Sequence, residues 1–113
     1  MDDEPDHQQV IVTIVPGSQG PEFNRSHLYL PVGATTVWVN QTEISQVILP
    51  DREGARRVMR LAPAGQEGAV WMMQMRSSRQ QMARGGTFGW RLQANESAHI
   101  TIVTSAEPMR EGE

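Results

Sequence analysis

The sequence predicts an all-β fold, a sandwich or barrel of short strands, and three observations carry that prediction. Short runs rich in Val, Ile, Thr and aromatic residues recur along the chain, most of them alternate apolar and polar positions with a two-residue period, and clusters of Gly, Pro, Asn and Ser separate them.

The first run, "QVIVTIV" (9–15), is β-branched and stops at "PGSQGP", a dense set of turn residues. Its apolar residues fall on both faces, which predicts a strand buried on both sides. "HLYLPV" (27–32) places Leu28, Leu30 and Val32 on one face and His27 and Tyr29 on the other, while Pro31 withholds a ladder donor and so points to an edge. After a turn at Gly33, "TTVWVN" (35–40) sets Val37 and Val39 opposite Trp38, and "QVIL" (46–49) supplies a fourth short strand.

Between 51 and 84 the pattern is less regular. "EGARRVMRLA" offers good helix formers after Gly54, so a short helix near 52–61 is compatible with it. "AVWMMQM" (69–75) reads as a strand with Trp71, Met73 and Met75 on one face and Met72 on the other, although a short apolar run also suits a buried helix. "TFGWRL" (87–92) aligns Phe88, Trp90 and Leu92, "QANES" turns the chain, and "AHITIVT" (98–104) puts Ile100 and Ile102 opposite His99. Residues 1–8 and 105–113 read as mobile tails, leaving 9–104 as one domain.

Composition narrows the chemistry. A chain of 113 residues is enough for one core that buries about two-thirds of its unfolded surface. No run approaches the roughly 18 apolar residues of a membrane span, and the start, "MDDEPDHQQ", is acidic where a signal peptide is basic and then apolar. Either the protein is cytosolic or a leader has been removed. Cysteine is absent, which excludes disulfides, thiol nucleophiles and thiolate ligands together.

Charge is unevenly placed on a chain of net charge −3. Arg25 stands alone against the acids of residues 1–50, whereas 51–84 carry seven arginines against Asp51, Glu53 and Glu67. Lysine does not occur, so each fixed cation is a planar guanidinium suited to carboxylate or phosphate. A solvated loop accounts for this cluster without function, and an anionic partner or subunit contact is the functional alternative.

In "HLYLPVGATTVWVN" an apolar strand meets a proline-valine-glycine turn and the next strand ends tryptophan-valine-asparagine. Together with "MARGGTF" (82–88), this resembles the cupredoxins, the blue-copper β-sandwich family, over about residues 9–104. The resemblance implies a cupredoxin-like antiparallel Greek-key sandwich of about six to eight short strands, a copper-protein ancestry and a site outside the cytoplasm. It also implies that the first copper histidine falls six residues beyond the strand-ending asparagine, which is Gln46 here. The family's remaining ligands, a cysteine, a histidine and commonly a methionine, come from a loop after the late strands. Here "TFGWRLQANESAHITIVT" joins those strands through a tight turn without cysteine. An amide oxygen is an adequate weak axial donor but a poor equatorial substitute for imidazole, so type 1 copper is not expected.

Other metal sites are less well specified. His7, His27 and His99 share no spacing that puts two on one face, and surface or turn roles suit them. Met72, Met73, Met75 and Met82, with Met59 further off, offer soft thioethers for Cu(I), yet methionines beside Trp71 also serve as core filler. The alternative metal set is therefore Met72, Met73 and Met75 with His27 or His99. No serine elbow, paired catalytic carboxylates or phosphate-cradling glycine loop can be picked out, so no enzyme is expected. Asn24-Arg25-Ser26, Asn40-Gln41-Thr42 and Asn95-Glu96-Ser97 match glycosylation sequons, and turn chemistry is the favoured explanation of all three.

The leading expectation is a non-catalytic binding or interaction module without a cofactor, acting on a protein partner or a second copy of itself. Trp38 is a candidate partner patch if its packing surface is not internal, with Arg52, Arg56, Arg57 and Arg60 as a polar rim. Copper capture through methionine is the rival. Nucleic acid is disfavoured by the net negative charge.

Overall fold

The computed structural model describes residues 9–51, 57–75 and 86–105. Nine strands follow in order: β1 (Gln9–Gly17), β2 (Gly20–Phe23), β3 (His27–Pro31), β4 (Thr35–Asn40), β5 (Gln46–Pro50), β6 (Met59–Leu61), β7 (Val70–Gln74), β8 (Gly86–Leu92) and β9 (Asn95–Ser105). They form a four-stranded sheet ordered β2-β1-β4-β7 and a five-stranded sheet ordered β3-β9-β8-β5-β6. This is an all-β sandwich, and no helix occurs among the described residues. Among the described residues no helix is long and apolar enough to cross a membrane.

Both sheets are mixed, where an antiparallel sandwich was expected. β1 pairs with β4 in parallel, Ile11 opposite Val37, and β3 pairs with β9 in parallel, Leu28 opposite Ile102. Parallel neighbours need a long crossover, and here the chain visits the other strands between the two partners. Pro31 ends β3 at the edge of the larger sheet, as the missing donor requires.

The short helix near 52–61 is corrected in part. Residues 59–61 form strand β6, with Arg60 opposite Val47 of β5, and residues 52–56 lie outside the described residues. Tertiary pairing outweighs the modest helix preference of Arg, Met and Leu. Over 70–74 the strand reading holds, with Trp71 and Met73 packed against the core and Met72 turned out. Ser105, assigned to a tail, closes β9 instead.

The core lies between the sheets. Val12, Ile14 and Trp38 of the smaller sheet face Leu28, Ile48, Trp90, Leu92, Ile100 and Ile102 of the larger. Trp38 meets Trp90 edge to face with ring centroids 5.2 Å apart, and Phe23 closes on its other side at 6.1 Å. Its indole N–H donates to Thr36 Oγ1 at 2.8 Å, and that of Trp90 donates to the Arg57 carbonyl at 3.3 Å, so both rings bury their area without orphaning a donor.

One strand expectation fails. β1 is buried on one face only, because Val12 and Ile14 enter the core while Ile11 is 55% exposed. Ile11, Val37 and Met72 lie side by side across β1, β4 and β7 on the outer face of the smaller sheet.

Candidate functional site

The stretch 38–50 that links β4 to β5 builds one end of the sandwich. Asn40 ends β4 fully buried, and its side chain organises everything that follows. Asn40 Nδ2 donates to the Ile44 carbonyl at 2.8 Å and to the Ala62 carbonyl at 2.9 Å, fastening the 41–45 turn to the segment after β6. Asn40 Oδ1 accepts the Thr42 N–H at 2.9 Å, an Asx turn, and the Thr42 hydroxyl at 2.7 Å. Thr42 returns a contact of its own, its carbonyl accepting the Ala64 N–H at 2.9 Å.

This wiring fixes the orientation of Gln46. Two carbonyls require the Asn40 nitrogen on their side, which leaves its oxygen to Thr42. The single hydroxyl proton of Thr42 therefore points at Asn40 Oδ1 or at the nearby Ile44 carbonyl. Gln46 can meet that hydroxyl only as a donor, through Nε2 at 3.0 Å. Its other end, Oε1, is buried and has no hydrogen-bond partner among the described residues.

Two further segments close on this end. The β1–β2 hairpin turns tightly through Ser18 and Gln19, Gly17 pairing with Gly20, whose φ of 125° is accessible to glycine. The β8–β9 turn consists of Gln93 and Ala94, and the Gln93 N–H donates to the Val47 carbonyl at 2.9 Å, which places it beside Gln46. Asn95 ties the two together by donating to the Pro21 carbonyl at 3.0 Å. Between the hairpin and the 41–46 stretch lies an open cleft of about 470 Å³ whose lining includes Pro16, Pro21, Glu43, Ile44 and the buried Gln46.

The other predicted site residues are dispersed. Trp38, considered as a partner patch, is fully buried and presents no surface; its second packing partner is the facing sheet. Arg57 and Arg60 are exposed, whereas Arg52 and Arg56 lie outside the described residues. The methionines do not gather: Met72 is 59% exposed on the outer face, and Met75 is buried with its sulfur 3.8 Å from Thr36 Oγ1. Met73 is partly buried between them in sequence, facing the core. His27 and His99 are exposed on strands of the opposite sheet, His27 beside Ser26 Oγ at 3.3 Å and His99 beside Asp51 at 3.1 Å. These five side chains therefore do not converge on one ion. Met82 and His7 lie outside the described residues. Sequence reasoning missed the Asp51, Arg91 and His99 cluster, in which Arg91 Nε stands 3.7 Å from Asp51, because its members are far apart in the chain.

Of the sequons, Asn40 and Asn95 are spent on Asx turns and on carbonyls, while Asn24 is exposed with its Oδ1 accepting the Thr13 N–H.

Two sheets in this order form a cupredoxin-like sandwich, as comparison with solved structures shows. A purple cupredoxin from Nitrosopumilus maritimus superimposes with a TM-score of 0.61 at 14% identity, over 85% of this chain and 99% of that one. A Cu(I) amicyanin carrying a methionine-to-alanine substitution gives 0.60 at 13% identity, over 86% and 82%. An oxidised amicyanin with a proline-to-alanine substitution gives 0.59 at 14% identity, over 86% and 82%. No family model and no curated protein matches the sequence. The chain thus has a cupredoxin-like fold whose type 1 ligands are missing.

Copper is named for an amicyanin among those neighbours, and the donor set of this chain does not fit type 1 copper. The chain contains no thiolate, Gln46, to which the sequence resemblance assigns the first imidazole, carries an amide whose nitrogen is committed to Thr42, and the turn beside it has two residues. Among the described residues, no three His, Asp or Glu side chains group to hold a metal.

Proposed function

We propose that the chain is a non-catalytic binding module on a cupredoxin-like sandwich and does not carry electrons through type 1 copper. The observation that carries this reading is the Gln46 end, where an amide–hydroxyl–amide chain occupies the place that the resemblance assigns to the metal. Hydrogen bonds there hold the two sheets' ends together without a ligand sphere.

The intense colour of a blue-copper centre comes from a bond between Cu(II) and thiolate, and no residue here can form it. Adding one equivalent of Cu(II) to chelator-free protein is expected to produce no intense visible band. An intense blue absorption would overturn the proposal.

Binding to an anionic partner is supported by Arg57 and Arg60, both exposed, the second on edge strand β6. Guanidinium groups on an open edge can pair with carboxylates while the edge itself remains free. The double variant Arg57→Glu with Arg60→Glu is expected to bind an oligoglutamate peptide about tenfold more weakly at low salt. Unchanged affinity in the variant would remove this edge as the contact.

A further inference from the structure

We infer that the cleft between the β1–β2 hairpin and the 41–46 stretch binds a small, largely apolar molecule through one hydrogen-bond donor directed at Gln46 Oε1. This rests on the reading of the chain as a binding module and names the class of ligand.

The acceptor is the central observation. Gln46 is 1% exposed, and its Oε1 is without a hydrogen-bond partner among the described residues. Its orientation follows from the Asn40 and Thr42 contacts, all of which force Gln46 to donate through nitrogen and leave oxygen over. A buried carbonyl oxygen without a donor is costly, and a ligand that supplies one recovers that cost on binding.

The cleft gives such a ligand its shape. Its volume of about 470 Å³ falls within the range of sites for small organic molecules. Pro16 and Pro21 are rigid apolar walls. Ile44 is 60% exposed at the mouth, so it can turn aside without disturbing the core. Glu43 in the lining repels carboxylates and phosphates, which makes a neutral or cationic molecule the complementary class. Specificity comes from the single acceptor, because an analogue without an N–H or O–H leaves it unpaired.

Indole and 1-methylindole form a suitable probe pair, differing in one N–H. Their binding is followed by the amide shifts of Thr42, Ile44 and the Gln46 side chain in two-dimensional NMR. Indole is expected to bind the wild type saturably and about fivefold more tightly than 1-methylindole, the factor of one neutral hydrogen bond. In Gln46→Leu, which removes the Oε1 acceptor together with the Nε2 bond to Thr42, the two probes should bind equally. Ile44→Ser changes only an exposed wall and should weaken both probes alike with the fivefold preference kept. It also keeps the proposal testable if the Gln46 variant does not fold. Equal affinities in the wild type, a preference that survives in Gln46→Leu, shifts confined to another surface, or no saturable binding at millimolar concentration would each overturn the assignment. None of those results would bring back a thiolate-copper band, so failure of this site and failure of the proposed function are separable.

Discussion

Replacing Trp38 with alanine is expected to lower the unfolding free energy by about 3–5 kcal/mol, the usual range for emptying a large aromatic site in a core. Trp38 is fully buried, sits edge to face between Trp90 and Phe23, and its N–H completes a bond to Thr36. Alanine at this position leaves a void between the sheets that only backbone movement could close. Since a domain of this size has a total stability of about 5–15 kcal/mol, the variant should be near its unfolding threshold at room temperature. Urea midpoints measured beside Tyr29→Ala supply the control. Tyr29 is 75% exposed on the edge strand, and its loss should shift stability by no more than about 0.5 kcal/mol. Similar midpoints for both variants would mean that Trp38 faces outward after all and would restore it as a contact residue.

The second large effect is expected at Asn40. Asn40→Ala removes a donor from two carbonyls, Ile44 and Ala62, and an acceptor from the Thr42 N–H and hydroxyl. A loss of about 3 kcal/mol is expected, because leaving a buried polar group without its partner costs about 1–3 kcal/mol and water can reach only some of them. Asn40→Asp should be no better, although it keeps the side-chain shape. Its second carboxylate oxygen would face the two carbonyls that Nδ2 now serves, replacing two attractions by repulsions. If the aspartate variant matches the wild type in thermal unfolding, the bonds to Ile44 and Ala62 do not stabilise this end.

Much of the sandwich is visible in the sequence because alternation reports burial wherever one face is covered. Leu28 and Leu30, Phe88, Trp90 and Leu92, and Ile100 and Ile102 all point inward as their spacing demands. Trp38 was harder to place, since Val37 and Val39 are equally apolar on the opposite face and the pattern alone cannot tell which side has a second sheet. The same ambiguity explains Ile11, which is apolar and yet lies on an uncovered face. Strands β2, "GPEF", and β6, "MRL", are too short to show any period. They exist because β1 and β5 offer them partners. Parallel pairing of β1 with β4 and of β3 with β9 leaves no local trace, because it is decided by where the chain returns.

The motif that ends at Asn40 and the offset to Gln46 draw attention to one end of the sandwich, but the wiring there is opaque in the sequence. The bond from Asn40 to Ala62 spans 22 residues, and without it the direction of the Thr42 hydroxyl and of the Gln46 amide cannot be deduced. Conversely, the methionine run looked like a ligand set on paper, and strand alternation disperses it: Met72 goes to solvent while Met73 and Met75 go inward.

The hydrogen-bonded end at Asn40 and Gln46 is tested most directly by hydrogen exchange of the two side-chain amides, read together with through-hydrogen-bond couplings from Asn40 Nδ2 to the Ile44 and Ala62 carbonyl carbons. Slow exchange at both amides and a measurable coupling to each carbonyl are expected in metal-free protein. Rapid exchange without couplings, or protection acquired only when copper is added, would contradict that arrangement.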